Sequence, residues 1–304
     1  MRKQFGRYSV ELSNRDKIFY PGISLTKGDV IDYYEKVAEF ILPHIRQRPL
    51  TMERYPDGID DEGFIQKNFP DYFPSWFERA RVRTREGRQT VPVCRNRASL
   101  VYLANQGCIA CHVWLSRLDR PQKPDQMIFD LDPPGSDFEP VRQAARDCLA
   151  LFDELGLTGY LKTTGSRGLH LLLPLRREHS FDEVRDVATD LARVLVRRYP
   201  DRYTLEQRKD KRKGRLYLDV QRNAHGQTAV APYSLRARPG APVAAPIDRE
   251  RLDDAGLHAR FYTAKNLFRS LAQKKDPWRG LKKSARSLSV VKRDLAQLLK
   301  HEEN

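Results

Sequence analysis

The sequence predicts an α+β protein whose central part is a β-α-β-β-α-β unit. Three observations indicate that unit: short apolar runs typical of strands, two long segments with apolar residues at helical spacing, and a glycine-bracketed turn between the second and third strands. In this order, known as the split βαβ, RRM-type or ferredoxin-like arrangement, the first and third strands lie side by side and the fourth flanks the first. Residues far apart in the sequence are therefore expected to become neighbours.

The elements of this unit follow one another between residues 127 and 220. The predicted strands are apolar runs at residues 127–132, 160–164, 169–175 and 216–220. The first predicted helix runs from Glu139 to Gly156, a residue type that often ends helices. The second begins at Ser180, which forms a capping box with Glu183, and ends near Pro200.

The whole chain is interpreted as one domain with three modules, at residues 1–120, 121–250 and 251–304. The first is a mixed α/β module on which the central unit is expected to pack. In that module Thr26 and Asp29 form a capping box for an amphipathic helix that Pro43 is expected to end. The third module is predicted to be helical and rich in Lys and Arg from Thr263 onward, with Pro277 dividing it.

The charge balance favours a nucleic-acid partner. The 304 residues include 55 Lys and Arg against 40 Asp and Glu, which gives a net charge of +15 and a pI near 9.7. Such an excess attracts polyanions. No stretch approaches the ~18 apolar residues of a membrane span, and the N-terminal residues lack the apolar core of a secretory signal. We therefore expect a cytoplasmic, nucleoid-associated protein with no membrane partner.

Four cysteines do not provide a disulfide framework for a chain of this size, which agrees with a reducing compartment. Cys108, Cys111 and His112 fit the C-x-x-C-H form that attaches c-type haem, although the chain shows no export signal. A zinc site would need four ligands, and no second Cys or His pair follows at the usual spacing. Buried thiols are the favoured interpretation, with haem and zinc as alternatives.

Two aspartates on the first strand indicate metal chemistry. Asp130 and Asp132 are two residues apart, so both side chains point to the same face of the strand. Asp219 on the fourth strand is expected beside them, because that strand flanks the first. Carboxylates so close repel one another unless a cation binds, and hard oxygen ligands suit Mg²⁺ or Mn²⁺. The three acids therefore predict a two-metal site for nucleotidyl transfer.

The turn before the third strand predicts a binding site for a triphosphate. Ser166 and Arg167 lie between two glycines, and His170 follows on the third strand. Backbone amides, a hydroxyl and a guanidinium all bind phosphate oxygens, and Arg236 could add another contact. Taken alone, the Asp130 and Asp132 pair also fits a structural turn or ion pair, a glycosyltransferase, or a phosphatase of the haloacid-dehalogenase type.

Five blocks of sequence together resemble the polymerase domain of bacterial and archaeal non-homologous end-joining ligases, a branch of the archaeo-eukaryotic primase superfamily. The blocks are residues 14–21 (NRDKIFYP), 129–133 (FDLDP), 164–170 (TGSRGLH), 218–219 (LD) and 231–236 (APYSLR). The resemblance covers about residues 14–247 and implies a primase-polymerase fold. It also implies a DNA-dependent polymerase that fills gaps and extends ends at double-strand breaks, uses Mn²⁺ or Mg²⁺, and prefers ribonucleotides to deoxyribonucleotides.

The resemblance assigns roles to individual residues. Metal would be bound by Asp130, Asp132 and Asp219. The incoming nucleoside triphosphate would be held by His112, Thr164, Ser166, Arg167, His170 and Arg236. A pocket for the 5′-phosphate across a DNA gap or break would be formed by Asn14, Lys17 and Lys27. The positions near the template are Arg54, Phe64 and Lys67, although relatives often have two adjacent aromatic residues where this chain has Phe64 and Ile65.

The same resemblance implies the end-binding protein Ku and a DNA ligase as partners. The chain has no Lys-x-Asp-Gly motif, so we expect no ligase activity from it. Two other functions remain open: a primase that starts strands without a primer, and a non-catalytic module that binds DNA ends. A requirement for a 3′-hydroxyl primer would separate the polymerase from the primase.

Overall fold

The computed structural model describes residues 1–84, 87–273 and 276–302. Its strands are β1 Arg2–Phe5, β2 Tyr8–Glu11, β3 Ile18–Tyr20, β4 Leu25–Thr26, β5 Leu50–Arg54, β6 Phe64–Gln66, β7 Arg79–Thr84, β8 Gly87–Pro92, β9 Cys108–Trp114, β10 Ser116–Arg117, β11 Arg120–Pro124, β12 Gln126–Asp132, β13 Tyr160–Thr163, β14 Leu169–Pro174, β15 Tyr203–Thr204, β16 Leu216–Asp219, β17 Thr228–Val230 and β18 Pro246–Ile247. Its α-helices are α1 Lys27–Lys36, α2 Ala38–Ile45, α3 Arg97–Asn105, α4 Glu139–Glu154, α5 Phe181–Arg198, α6 Leu267–Gln273 and α7 Leu288–Glu302.

The chain forms two compact units. Unit 1 comprises Met1–Asp119, Thr228–Ala245 and Tyr262–Gln273. Unit 2 comprises Arg120–Gln227, Pro246–Phe261 and the described residues 276–302. The single domain of three modules inferred from the sequence stays a prediction.

Unit 1 contains an antiparallel sheet of order β17-β9-β5-β6, with α1 packed against α3. The capping box that begins α1 is confirmed: the Thr26 hydroxyl accepts from the Asp29 amide at 3.1 Å, and the Asp29 carboxylate accepts from the Thr26 amide at 2.7 Å. The expectation of one helix ended by Pro43 is wrong. Helix α1 ends at Lys36, and α2 continues to Ile45 with Pro43 inside it.

The physical reason for this difference lies at Val37. Its dihedral angles (φ −83°, ψ −1°) stay in the right-handed region, but ψ departs from the ~−42° of a regular α-helix, and the chain continues as α2 directly after it. Pro43 therefore falls in a short second helix, where its missing N–H removes one intrahelical bond. Buried Ala38, Ile41 and Ile45 compensate, because α2 is held by packing more than by its own hydrogen bonds.

Unit 2 contains a sheet of order β15-β16-β12-β14-β13-β18. Its four central strands, β16, β12, β14 and β13, pair antiparallel with one another, and their order confirms the predicted ferredoxin-like arrangement. The α+β fold class is also confirmed. Two edge strands were not predicted: β15 pairs parallel with β16, and β18 pairs antiparallel with β13. Each has only two residues, too few to show a periodic pattern.

Helices α4 and α5 pack on the sheet of unit 2 through an apolar interface. The rings of Phe129 on β12 and Phe152 on α4 lie 5.6 Å apart in an edge-to-face arrangement. The capping box of Ser180 with Glu183 and the end of α4 near Gly156 both agree with the sequence prediction. Because side chains alternate along a strand, Phe129 and Leu131 face α4, and Asp130 points to the other face.

The remaining expectations concern the tail, the cysteines and the membrane. The C-terminal segment contains α6 and α7, and Pro277 lies between them, as predicted. Cys94, Cys108, Cys111 and Cys148 are buried free thiols, which agrees with the favoured interpretation. Among the described residues, no helix combines the length and apolar character needed to cross a membrane.

Candidate active site

A row of polar side chains crosses the sheet of unit 2 on the face that points away from α4. Asp130 on β12 pairs in register with Asp219 on β16 and, on its other side, with His170 on β14. His170 in turn pairs with Lys162 on β13. Side chains directly opposite in antiparallel strands have Cβ atoms ~4.5–5.5 Å apart, and Asp132 shares this face two residues further on. The structure thus brings the three predicted aspartates together, and we call Asp130, Asp132 and Asp219 the acidic row.

Asp130 is the most strongly held member of the acidic row. Its carboxylate accepts a hydrogen bond from Arg222 Nε at 2.5 Å and lies 3.4 Å from His170 Nε2. Burial raises the pKa of Asp130, but the hydrogen bonds and positive charge that His170 and Arg222 can supply outweigh it and hold the pKa below its ordinary value. Burial also lowers the pKa of His170 to about 4. A neutral His170 at pH 7 leaves Arg222 as the cation that keeps Asp130 ionised.

Asp132 and Asp219 experience the opposite shift. Partial desolvation raises the pKa of Asp132, although its side chain reaches solvent at the end of β12, and the charges of Asp130 and Asp219 raise it further. The pKa of Asp219 is raised by burial and by the charge of Asp130, against the backbone hydrogen bond that the Gln221 amide donates. The three carboxylates therefore repel one another, and Arg222 offsets only part of the repulsion.

The acidic row carries the oxygen ligands of a possible metal site. Among the described residues, no group of three or more His, Cys, Asp and Glu side chains is arranged to hold a metal ion as it stands. One oxygen of Asp130 is occupied by the guanidinium of Arg222. The three carboxylates fit a hard divalent cation, because Mg²⁺ and Mn²⁺ prefer oxygen ligands. A bound cation would also relieve the repulsion among the carboxylates. A metal would take the place of the guanidinium.

Arg222 and Asn223 were not singled out from the sequence. Both lie in a 3₁₀ turn, Gln221–Asn223, that follows β16. The fully buried Asn223 side chain accepts from the Ile128 amide at 2.8 Å and donates to the Ile128 carbonyl at 2.7 Å. It thereby continues the pairing of β12 after β16 has ended. The only sequence signal was a cation and an amide directly after a strand that carries an aspartate.

The predicted triphosphate turn closes tightly beside Asp132. Thr164 uses its hydroxyl to organise the turn, donating to the Gly168 carbonyl at 3.0 Å and accepting from the Gly168 amide at 3.1 Å. Gly165 has a φ of 64°, which favours glycine. A Cβ on Gly168 would lie 1.9 Å from the Leu131 carbonyl oxygen and 2.7 Å from an Asp132 carboxylate oxygen. The close approach of β14 to β12 therefore requires glycine at this position.

Ser166 and Arg167 lie at the tip of this turn. Arg167 is exposed, donates to the Pro133 carbonyl at 3.3 Å and lowers the pKa of Asp132 through its charge. The backbone carbonyl of Ser166 accepts from Arg260 Nε at 3.0 Å. Two guanidinium groups thus lie at the tip of the turn, which suits a polyphosphate.

In unit 1, two predicted nucleotide-binding residues share an acidic neighbour. His112 Nε2 on β9 lies 3.3 Å from an oxygen of Glu53 on β5. Burial raises the pKa of Glu53, but the hydrogen bond from His112 and the charge of Arg236 outweigh it, so that pKa is lowered. Glu53, which sequence reasoning missed, therefore links the electrostatics of His112 and Arg236. Their contact with a nucleotide stays a prediction.

The predicted 5′-phosphate residues lie close together in unit 1. The Lys27 amide donates to the Lys17 carbonyl at 2.8 Å, and the Lys17 amide donates to the Asn14 carbonyl at 3.1 Å. Burial, and then the charge of Lys17, lower the pKa of Lys27 to about 8. Lys17 forms an ion pair with Asp57. We call Lys17 and Lys27 the lysine pair; two ammonium groups that repel each other favour an anion between them.

The predicted template residues occupy the edge of the sheet of unit 1. Arg54 is buried and donates from Nη1 to Gln66 at 2.6 Å and to the Tyr72 hydroxyl at 2.5 Å. Its guanidinium lies 5.2 Å from the ring centre of Phe64, which is exposed. Lys67 is also exposed. Arg54 therefore supports an exposed aromatic surface of Phe64 and Tyr72, and a contact with the template stays a prediction.

An antiparallel sheet of this order, with converging carboxylates beside a glycine-bracketed turn, is the arrangement of a primase–polymerase domain, a class of nucleotidyltransferase. Comparison with known proteins places the chain within that class. A family model described as "LigD, primase-polymerase domain" matches residues 26–278. The chain therefore belongs to the LigD primase–polymerase domain family, and the resemblance seen in the sequence is confirmed.

Two relatives illustrate the similarity in sequence. The chain is 37% identical over 256 residues to the "Multifunctional non-homologous end joining protein LigD" of Mycolicibacterium smegmatis, covering 83% of this chain and 34% of that protein. The protein of the same name from Pseudomonas aeruginosa is 35% identical over 245 residues, which is 80% of this chain and 29% of the relative. The chain thus spans about a third of these relatives.

A solved structure also matches. The "Polymerase Domain from Mycobacterium tuberculosis Ligase D in complex with DNA" superposes with a TM-score of 0.85 and 33% identity. The match covers 91% of this chain and 99% of that one.

Proposed function

We propose that this chain is a DNA-dependent polymerase that fills gaps and extends ends at double-strand breaks during non-homologous end joining. The observation that carries the proposal is the register of Asp130 with Asp219, which places three carboxylates beside the turn of Thr164–Gly168. In the reaction, a primer 3′-hydroxyl loses its proton to solvent and attacks the α-phosphorus of a nucleoside triphosphate, a new phosphodiester bond forms, and pyrophosphate leaves with the electron pair of the broken bond.

Each residue of the acidic row has a part in this proposal. Asp130, Asp132 and Asp219 would hold one or two Mn²⁺ or Mg²⁺ ions, which when bound lower the pKa of the attacking hydroxyl and neutralise the leaving pyrophosphate. Arg222 leaves Asp130 and turns towards phosphate oxygens. Ser166 and Arg167 bind the triphosphate. Neutral His170 keeps Asp130 oriented through Nε2, and within the described residues its buried Nδ1 has no hydrogen-bond partner, so it can accept from the nucleotide.

The DNA substrate would be recognised in unit 1. The lysine pair and Asn14 would bind a 5′-phosphate on the far side of a gap, because two ammonium groups and an amide suit a dianion. The net charge of +15 supports binding to DNA. The relative from Mycobacterium tuberculosis is described in complex with DNA, which supports the same substrate here.

The remaining parts of the proposal come from the family. The names of the relatives refer to non-homologous end joining, so we propose that this chain works with Ku and a DNA ligase. A preference for ribonucleotides and for Mn²⁺ belongs to the same proposal.

The test is primer extension on a gapped duplex with a 5′-phosphate, comparing ribonucleotides with deoxyribonucleotides in Mn²⁺ and in Mg²⁺. We expect extension by the natural chain and at least ~1000-fold slower extension by a variant with Asp130→Ala and Asp132→Ala, with DNA affinity retained. A matched double variant, Asp182→Ala with Asp190→Ala, removes two exposed carboxylates of α5 and should extend normally.

The outcomes separate the alternatives. Unchanged extension by the Asp130 and Asp132 variant would refute the proposed site. Synthesis from two nucleotides without a primer would identify a primase instead. Tight DNA binding without any extension by the natural chain would identify a non-catalytic end-binding module.

A further inference from the structure

A cavity of about 370 Å³ in unit 1 is lined by residues that the proposed polymerase reaction does not use. Its walls come from the β1–β2 turn, the segment before β7 and the start of α3. The residues that matter for its chemistry are Arg7, Tyr8, Trp76, Glu78, Arg79 and Arg95. The volume lies at the lower end of ligand pockets, which range from ~300 to ~1,000 Å³.

Two aromatic rings form one wall of this cavity. The ring centres of Tyr8 and Trp76 are 5.2 Å apart, with an angle of 37° between their planes. Trp76 also contacts Tyr102, whose ring meets it edge-on at 5.7 Å. Trp76 is only half-buried, whereas Trp114 and Trp278 are buried. The cavity therefore offers a supported aromatic surface to a planar ligand.

The other walls are predominantly cationic. Arg7 donates to the Tyr8 hydroxyl at 2.9 Å and lies 5.1 Å from the centre of that ring. Arg95 donates to Glu78 at 3.0 Å, and its side chain remains 61% exposed. Arg79 is exposed as well. Three guanidinium groups against one carboxylate leave an excess of positive charge next to the rings.

We propose that this cavity, the arginine–tryptophan pocket, binds a nucleotide unit of a single nucleic-acid strand. A base stacks on the surface of Tyr8 and Trp76, and the flanking phosphates bind Arg7 and Arg95. An acidic peptide would satisfy the arginines but would leave the aromatic surface unused, whereas a nucleotide uses both. None of its lining residues belongs to the acidic row, to the turn of Thr164–Gly168 or to the lysine pair.

The test uses the fluorescence of Trp76, the half-buried indole among the three tryptophans. The probe is a ten-residue oligothymidylate with a 5′-hydroxyl, titrated into the full chain without metal. Stacking of a base should quench the tryptophan emission, and Trp76→Phe, which keeps a ring against Tyr102, should remove the quenching. Equal quenching in the Trp76→Phe variant would place the strand elsewhere and overturn the proposal.

Matched double variants test the cationic walls. Arg7→Ala with Arg95→Ala should weaken the quenching titration at least fivefold and lower its salt dependence by ~1.4 log units per log unit of salt, as expected for two lost phosphate contacts. Arg193→Ala with Arg249→Ala removes two exposed arginines of unit 2 and should change the affinity less than twofold. Equal weakening by both pairs would mean that only net charge matters and would refute the pocket.

One further comparison completes the test. A ten-residue poly-glutamate that quenches Trp76 as tightly as the oligothymidylate would identify an acidic peptide as the ligand and refute the proposal. The quenching titration contains neither metal nor nucleoside triphosphate, so it does not measure primer extension, and the primer-extension assay does not measure quenching. The pocket and the polymerase proposal can therefore fail separately.

Discussion

The acidic row of unit 2 and the lysine pair of unit 1 are built on the same principle with opposite signs. Each collects like charges that would repel one another, and in each a side chain of opposite charge forms an ion pair with one member. Arg222 has this role beside Asp130, and Asp57 has it beside Lys17. In both places the neutralising side chain occupies a position that the proposed ligand would take.

The two regions differ in how deeply the charges are buried. The Asp130 side chain is 7% exposed and that of Arg222 40%, whereas the side chains of Lys17 and Asp57 are 35% and 65% exposed. Removing a partner from a buried charge is costly, while an exposed pair contributes ~0–1 kcal/mol. The comparison therefore predicts that Arg222 supports the fold and that Asp57 mainly competes with the ligand.

Among the single substitutions that test this comparison, the largest effect is expected from Gly168→Ala, which moves Asp132 without changing any charge. The new Cβ would meet the Leu131 carbonyl and the Asp132 carboxylate, so the strands must separate. We expect extension to fall ~100-fold, since small misplacements of reacting groups have effects of that order, and the free energy of unfolding to fall by ~1–3 kcal/mol. Primer extension and urea denaturation measure the two effects. Gly135→Ala, where a Cβ meets nothing within 4 Å, is the control, and an equal loss there would contradict the explanation.

Arg222→Ala tests the more deeply buried of the two ion pairs, the one between Arg222 and Asp130. Without the guanidinium, the buried Asp130 charge lacks its cation, so we expect the free energy of unfolding at pH 7 to fall by ~1–3 kcal/mol. Mn²⁺ should then raise the melting temperature of the variant more than that of the natural chain, because the metal no longer competes with Arg222. Thermal unfolding with and without Mn²⁺ provides the measurement. Arg249→Ala breaks an exposed pair with Asp153, and Mn²⁺ should raise its melting temperature by as much as that of the natural chain. A rise no larger than this in Arg222→Ala would contradict the replacement of Arg222 by the metal.

Lys27→Ala should weaken the preference for 5′-phosphorylated gaps about tenfold, the order of one hydrogen bond to a charged group. The pKa of Lys27 is lowered to about 8, so its ammonium is charged below that pH and neutral above it. The preference should therefore decline as pH rises from 7 to 9 in the natural chain. Fluorescence anisotropy with phosphorylated and unphosphorylated gaps measures this preference. A preference that stays constant across that pH range would contradict the role of Lys27.

The smallest effect is expected from Asp57→Ala, which frees Lys17 from its exposed partner. Affinity for phosphorylated gaps should rise about twofold to fivefold, in line with the small free energy of exposed ion pairs. The free energy of unfolding should hardly change. Asp61→Ala, an exposed acid four residues away, controls for net charge in the same anisotropy titration. A gain of the same size there would show that the pair with Lys17 is irrelevant.

Much of the catalytic sheet could be predicted from the sequence, because apolar periodicity and capping residues are local signals. The order of strands followed from the β-α-β-β-α-β pattern, and that order brought Asp219 next to Asp130. The edge strands β15 and β18 gave no such signal, since two residues cannot show a period. The break between α1 and α2 at Val37 was not predicted either, because the apolar periodicity continues through it.

The partners of the site residues were the part that could not be predicted. Arg222, Asp57 and Glu53 are charged residues in a chain rich in charge, and their sequence positions do not reveal which group they contact. Thr164 illustrates the same limit, since its hydroxyl is committed to the turn itself. Pairing of side chains depends on three-dimensional packing, which periodicity does not encode.

Asn223 limits the motions by which a cation could reach the carboxylates of the acidic row. Its amide holds both backbone groups of Ile128, so the turn that carries Arg222 is fixed to β12. The guanidinium can leave Asp130 only by rotating about its own side-chain bonds, a motion that partly exposed side chains make within picoseconds to nanoseconds. If a cation replaces the guanidinium as proposed, it requires a rotation of this one side chain and no rearrangement of the sheet.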